Sequence, residues 1–140
     1  MNFLAHCALA WDAASVWSCH NKQRTGLLAG GILGDFVKGR VDPSWPIELQ
    51  AGVRLHRKVD ALSNRDPHTR ACSNLFTPEL RRLAPIFVDL LGDYHLANHW
   101  TEFYAIDLHQ FTQECYASLG RYEAYLTEPG QRFYQYALDV

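Results

Sequence analysis

Apolar positions in nearly every segment of this chain recur at intervals of three and four, the spacing of one helix face, and no alternating hairpin pattern interrupts them. Residues 2 to 13 carry Phe3, Leu4, Cys7, Ala8 and Trp11 on such a stripe. Residues 14 to 24 are polar and irregular, which predicts a loop or a short extra turn. From Gly26 to Val37 the chain is apolar and glycine-rich. Its glycines lower helix propensity but admit a second helix at short range. Pro43 and Pro46 bracket a turn, and Pro46 suits the first turn of a helix running to about Leu62.

Beyond that point, Asp66-Pro67 predicts the start of a short helix to Phe76. Thr77-Pro78-Glu79 predicts a long helix, with Thr77 as N-cap, Pro78 in the first turn and a kink at Pro85 before it ends near Trp100. A further helix is expected over roughly Asp107 to Leu126. Glu128-Pro129-Gly130 reads as a turn, and Phe133-Tyr134-Gln135-Tyr136-Ala137-Leu138 as an apolar, aromatic run. The expectation is an all-α, single-domain helical bundle over residues 1 to 140, which at 48% hydrophobic holds enough apolar material for one ordinary core.

The net charge of −2 carries no global signal for nucleic acid or membrane binding, and neither is expected as a partner. Its distribution is uneven. Residues 38 to 82 hold nine Lys/Arg against five Asp/Glu, a basic block that either contacts a phosphate or acidic partner or forms a solvated helix face. The cysteines (Cys7, Cys19, Cys72, Cys115) form no C-x-x-C pair and read as free thiols of a reducing compartment. With no basic leader and no long apolar run, a cytoplasmic location is expected.

Against this background two pairs of side chains stand out, each four residues apart and so on one helix face: His56 with Asp60, and Asp89 with Asp93. Both sit among apolar residues, where unpaired carboxylates are costly to bury and something must compensate them. A divalent cation between helices would do so, and imidazole with carboxylate suits Mn²⁺, Fe²⁺, Mg²⁺ or Zn²⁺. The structural alternatives are a buried His56 bonded to Asp60, and an Asp89 or Asp93 paired with Arg57 or Arg82. Asp35 ends the glycine-rich helix, as a ligand or as a solvated helix end. His6 is a ligand or a core histidine. His95 and His99 fall off the Asp89/Asp93 face, and His20, His68 and His109 lack a distinguishing context. Lys38, Arg40, Arg54, Arg57 and Lys58 are phosphate-contact candidates or surface charges. No P-loop, dinucleotide fingerprint, nucleophile elbow or zinc ribbon is present.

Taken in order, Met1-Asn2-Phe3-Leu4-Ala5-His6, Gly34-Asp35-Phe36-Val37-Lys38-Gly39, Ala51-Gly52-Val53-Arg54-Leu55-His56-Arg57-Lys58-Val59-Asp60, and Asp89-x-x-x-Asp93 followed by His99-Trp100 resemble the acyl-carrier-protein phosphodiesterase family. That family is similar in helical fold to the HD-type metal-dependent phosphohydrolases. The resemblance covers residues 1 to about 100 and continues weakly to the end. It implies an Mn²⁺-dependent hydrolysis (with Mg²⁺ or Fe²⁺ as other candidate ions) that releases 4′-phosphopantetheine from the serine of holo-acyl carrier protein (ACP). It further implies that Asp35, His56, Asp60, Asp89 and Asp93, together with His6, hold the metal. Asp60, His56 and Arg57 would carry the chemistry, and Lys38, Arg54, Arg57 and Lys58 would contact substrate. ACP is acidic, so the basic block would speed encounter.

The chain departs from the family in three places. Residues 12 to 25 resemble an insertion between the first two motifs. Asp93-Tyr94-His95 stands where the family commonly has Asp-His-Phe, which shifts an imidazole by about 100° around the helix. The family also continues several dozen residues past Val140 with helices expected to cover the Phe133–Leu138 surface. These departures leave two other functions open: an HD-like phosphohydrolase on a nucleotide or small phosphate ester, and an inactive module that binds ACP.

Overall fold

The structure, a computed structural model, describes residues 2–139. Among them every regular element is helical: α1 (Phe3–Val16), α2 (Asn21–Leu33), α3 (Ile47–Ser63), α4 (Pro67–Asn74), α5 (Ala84–Asn98), α6 (Trp100–Phe103), α7 (Leu108–Gly120) and α8 (Glu128–Asp139), with 3₁₀ turns at Gly34–Phe36 and Glu123–Tyr125. The all-α expectation holds. No helix is long and apolar enough to cross a membrane.

Helix α2 is the centre. Its residues from Thr25 to Leu33 are all buried, and α1, α3 and α7 pack around it. A helix apolar on every side has no solvent face, so it takes the middle of the bundle. The core gathers Leu27, Leu28, Ile32 and Leu33 from α2 with Leu49 and Val53 from α3, Phe111 and Leu119 from α7, and Cys7 and Ala10 from α1.

Contact between α2 and α3 is set by small residues in register. A Cβ on Gly26 would collide with Glu48, one on Gly30 with the backbone of Gly52, and one on Gly34 with the imidazole of His56. The three rungs lie four residues apart on both helices and rise together, so α2 and α3 run in the same direction. Residues 37–46 must therefore travel back along the pair. They are pinned at both ends by α3: the Arg57 guanidinium donates to the Val37 carbonyl at 3.1 Å, and the Gln50 amide donates to the Pro43 and Trp45 carbonyls at 3.1 and 2.8 Å.

Four expected boundaries moved. Most of residues 14–24 are helical: α1 runs to Val16 and α2 starts at Asn21. The polar stretch is an exposed first turn closed by a capping box, in which His20 Nδ1 accepts from the Gln23 amide and Gln23 Oε1 accepts from the His20 amide. The long helix expected from Thr77 begins instead at Ala84, with Pro85 in its first turn. Proline supplies no amide to bond Arg81 and clashes with that carbonyl, and the exposed residues before it bury nothing that would hold them helical. The helix expected from Asp107 to Leu126 stops at Gly120. Finally, Glu128-Pro129-Gly130 opens α8 rather than forming a separate turn. Phe133 of α8 packs on Phe3 and Phe36 with ring centroids 4.6 and 5.5 Å apart, while Tyr136 and Leu138 stay exposed.

Two measurements check this architecture. Gly30→Ala places a methyl against the Gly52 backbone and is expected to lower stability by about 1–3 kcal/mol in urea unfolding. Gly92→Ala, on α5 with nothing near its added Cβ, should raise stability by about 0.5–1 kcal/mol. The second concerns Tyr122, whose buried hydroxyl donates to Glu48 at 3.0 Å. Burial, then the Glu48 carboxylate, push its phenol well above the ordinary value. Above about pH 10 the unfolded chain loses this proton and the folded chain keeps it, so stability falls as the pH rises further. Tyr122→Phe should flatten that alkaline slope while costing about 1–3 kcal/mol at neutral pH, because Glu48 loses its donor.

Candidate metal centre

Three helices deliver four ionisable side chains to one point. His6 comes from the second turn of α1, His56 and Asp60 from successive turns of α3, and Asp35 from the 3₁₀ turn that ends α2. His6 Nε2 lies 3.0 Å from one Asp60 oxygen. His56 Nε2 lies 3.3 Å from the other Asp60 oxygen and 3.3 Å from Asp35 Oδ1. The two imidazoles stack with centroids 3.6 Å apart and planes 14° from parallel.

The imidazoles and carboxylates differ sharply in environment. The side chains of His6 and His56 are 1% and 2% exposed, whereas those of Asp60 and Asp35 are 37% and 39% exposed. The two carboxylates therefore form the solvent-facing side of the group, over a floor of buried rings. His56 is fixed from behind: its Nδ1 lies 2.8 Å from the Gly31 carbonyl, which can only accept, so Nδ1 carries hydrogen and Nε2 faces the carboxylates. The absence of a side chain at Gly34 makes room for the ring. A helix carbonyl that orients one imidazole nitrogen and leaves the other for an ion is a common support for metal-binding histidines.

Charge within the group is divided unequally. Burial, and then the neighbouring His56, lower the His6 pKa to about 4, so His6 is neutral at physiological pH. Burial also opposes charge on His56, but its hydrogen bonds to Asp35 and Gly31 and the two carboxylate charges outweigh it and raise its pKa. Burial works against ionised Asp35 too, yet the bond from His56 holds its carboxyl below the usual range. Two carboxylates thus converge on His56 Nε2, where either a proton or a cation must balance them. His6 Nδ1 is buried without a hydrogen-bond partner. With Nε2 turned to the Asp60 carboxylate, Nδ1 is the ring nitrogen of His6 without a partner among the described residues.

The donors fit a divalent ion. Ligand atoms of His6, His56 and Asp60 all lie within 4.8 Å of one another, and Asp35 adds a fourth beside His56. Two imidazoles with one or two carboxylates form a borderline-to-hard set suited to Mn²⁺, Fe²⁺ or Zn²⁺ more than to a thiolate-seeking metal.

The sequence expectations divide on this geometry. His6, His56 and Asp60 come together as one group, with Asp35 attached. Asp89 and Asp93 are not part of it. Asp93 accepts from the amides of Leu4 and Ala5 at 2.8 and 3.0 Å, so its oxygens satisfy the open start of α1, which has no side-chain cap of its own. Arg57 and Arg82 do not pair with it. Burial raises the Asp93 pKa, against the pull of those two amides. Asp89 instead lines cavities between α5 and the α3–α4 corner. Of the basic candidates, Arg57 holds the Val37 carbonyl and Arg54 donates to Gln50 Oε1 at 2.9 Å, bracing the residue that pins the return segment. Lys38 and Lys58 are exposed. His95 and His99 pack against each other with ring centroids 4.1 Å apart and are not part of the group. Gly31 and Gly34 support the site without carrying chemistry of their own; for Gly34 the signal in the sequence is the match of Gly26/Gly30/Gly34 with Glu48/Gly52/His56.

Comparison with known proteins agrees with the motifs. The family model described as acyl carrier protein phosphodiesterase matches residues 1–139. The acyl carrier protein phosphodiesterase of Escherichia coli O45:K1 is 38% identical over 118 residues, covering 84% of this chain and 54% of that protein. That of Pectobacterium atrosepticum is 40% identical over 102 residues, covering 73% of this chain and 47% of that protein. The chain spans about half the length of the curated relatives it matches. No solved structure matches it significantly. With the family motifs at His6, Asp35, His56 and Asp60 drawn together in space, the chain belongs to the acyl carrier protein phosphodiesterase family.

Proposed function

We propose that this protein hydrolyses the phosphodiester of holo-ACP with the help of a divalent cation, Mn²⁺ before Mg²⁺ or Fe²⁺, held by His6, His56, Asp60 and Asp35. The convergence of two buried imidazoles and two half-open carboxylates is the observation that supports it. The net reaction consumes one water. Its hydroxyl joins phosphorus, the bond from phosphorus to the serine oxygen breaks, and a proton returns to that oxygen, leaving apo-ACP and 4′-phosphopantetheine. When bound, the cation would polarise a phosphoryl oxygen and lower the pKa of its water.

The chain's own residues supply the rest. His6, neutral at physiological pH, can present the lone pair of Nε2 to an ion when its ring hydrogen is carried on Nδ1. The Gly31 carbonyl holds His56 in the tautomer that turns Nε2 outward. The exposed carboxylates of Asp60 and Asp35 give the site its negative charge and its opening toward solvent. Asp93 fixes the start of α1 through Leu4 and Ala5 and so positions His6, the next residue. Exposed Lys38 and Lys58 belong to the basic block that would attract an acidic carrier protein.

Intact mass spectrometry of holo-ACP incubated with the protein tests the reading. Loss of the phosphopantetheine mass is expected with Mn²⁺ and not with chelator. An unchanged mass alongside hydrolysis of a nucleotide or small phosphate ester would favour the HD-like alternative. Carrier binding that persists in chelator and in Asp60→Ala, with no hydrolysis, would favour a binding module. A companion measurement separates metal from scaffold. Asp60→Ala should lower bound Mn²⁺ at least tenfold with little change in melting temperature. Asp93→Asn should keep the metal and lower stability by about 0.5–2 kcal/mol, the usual worth of a helix cap.

A further inference from the structure

Helix α5 is apolar but hardly buried: of its 15 residues only Ala84 is buried. An apolar helix in a bundle ordinarily turns its apolar side to the core, as α2 does. Here Leu83, Ile86, Leu90 and Tyr94 recur at intervals of three and four and so form one stripe, and that stripe faces solvent. Ile86 is 59% exposed, Leu90 51% and Tyr94 70%, with Leu91 alongside at 58%. None of the exposed residues of α5 is Asp, Glu, Lys or Arg.

The segment leading into the helix extends the patch. Leu75 and Leu80 are exposed there, and Phe76 stacks on Phe87 with ring centroids 5.6 Å apart, which ties the segment to α5. Together these side chains expose on the order of 700 Å². The largest apolar patch of an ordinary monomer is roughly 300–600 Å², and each partner contributes about 800 Å² to a standard interface. The face has the size of one half of a stable dimer contact.

Its lack of charge restricts what can cover it. A partner with a charged residue at the centre would bury that charge without a counter-ion, which is costly. The partner must therefore present a charge-free apolar helix of similar length, and a second copy of α5 is one. The ends supply direction. Exposed Arg81 and Arg82 precede the helix, while exposed Glu102 follows it, beyond the negative end of the helix dipole. Two copies laid antiparallel about a two-fold axis set the basic end of each against the acidic end of the other. A parallel pair would set like against like.

We infer that the α5 face is a self-association surface on which two copies of this chain pair antiparallel. The stripe from Leu83 to Tyr94 is centred between Ile86 and Leu90, so the axis passes there and Ile86 of one copy meets Leu90 of the other. Pairing braces the helix that carries Asp93 and, through the Leu4 and Ala5 amides, the start of α1. No assignment of substrate or metal is needed for it.

Sedimentation velocity of the intact protein over a hundredfold range of concentration tests the pairing. A monomer–dimer equilibrium is expected, with a melting temperature that rises with concentration. Leu90→Lys, at a half-exposed position, should keep the helical circular dichroism and weaken dimerisation at least tenfold. Val16→Lys, at another exposed apolar residue in the last turn of α1, should leave the dimer constant unchanged. Hydrogen exchange of the unaltered chain reads the same face without a substitution, and the amides of residues 84–98 should gain protection as the dimer forms. A protein that stays monomeric throughout would overturn the inference. So would a dimer that is undiminished in Leu90→Lys, gains no protection in α5, or weakens equally in Val16→Lys. Open-ended association into larger species would overturn it too, since a two-fold pair closes on itself.

Discussion

The approach of α2 to α3 is the constraint from which the rest of the molecule follows. Two helices carrying ordinary side chains pack 8–10 Å apart. Here two glycines on α2 and Gly34 at its C-terminal cap meet Glu48, Gly52 and His56 on α3, and the middle rung is glycine against glycine. Because the backbones touch, the register between the helices has little freedom. The last rung then places the His56 ring against Gly34, within reach of the Gly31 carbonyl and beside Asp35. The same contact that makes the core makes the site.

This coupling explains why the cluster tolerates its own electrostatics. Two carboxylates and two imidazoles crowd into a space where burial disfavours charge on the rings. Left to relax, such groups would move apart or turn to water. They are held by elements whose positions are decided elsewhere: α1 by its start on Asp93, α3 by its contact with α2, and Asp35 by the tight 3₁₀ turn that follows. The stability of the bundle therefore maintains a polar arrangement that is unfavourable in isolation. A bound cation or a shared proton relieves it.

Much of this was legible in the sequence, and the exceptions have definite causes. The helical character of the chain, the span of α3 and the pairing of His56 with Asp60 follow from periodicity and the i, i+4 spacing. Asp89 and Asp93 share that spacing, but spacing tells only that two side chains lie on one face, not what the face meets. Asp93 meets the uncapped start of α1, a partner about ninety residues away that no local pattern announces. The errors at residues 14–24 and at Pro85 are of another kind. Polar residues there cap and begin helices rather than interrupt them, because a histidine can stand in for serine or aspartate at an N-cap and proline suits a first turn. The family motifs brought His6 and Asp35 together with His56 and Asp60 although they lie on different elements.

The parallel run of α2 and α3 bears on how the chain finds this arrangement. Consecutive helices in a bundle usually form an antiparallel hairpin, whose short loop lets the pair zip from the turn outward. Parallel neighbours cannot do so. Residues 37–46 must be laid back along the full contact before the glycine faces can meet, and the clasps that hold them, Arg57 on Val37 and Gln50 on Pro43 and Trp45, exist only once α3 is in place. Helices and strap are mutually dependent. The entropy of closing that loop is met all at once rather than in small steps. The pocket of buried histidines is then an all-or-none product of folding: in any partly folded chain that lacks the strap, His56 is separated from Gly31 and Asp35, and the cluster is absent as a unit.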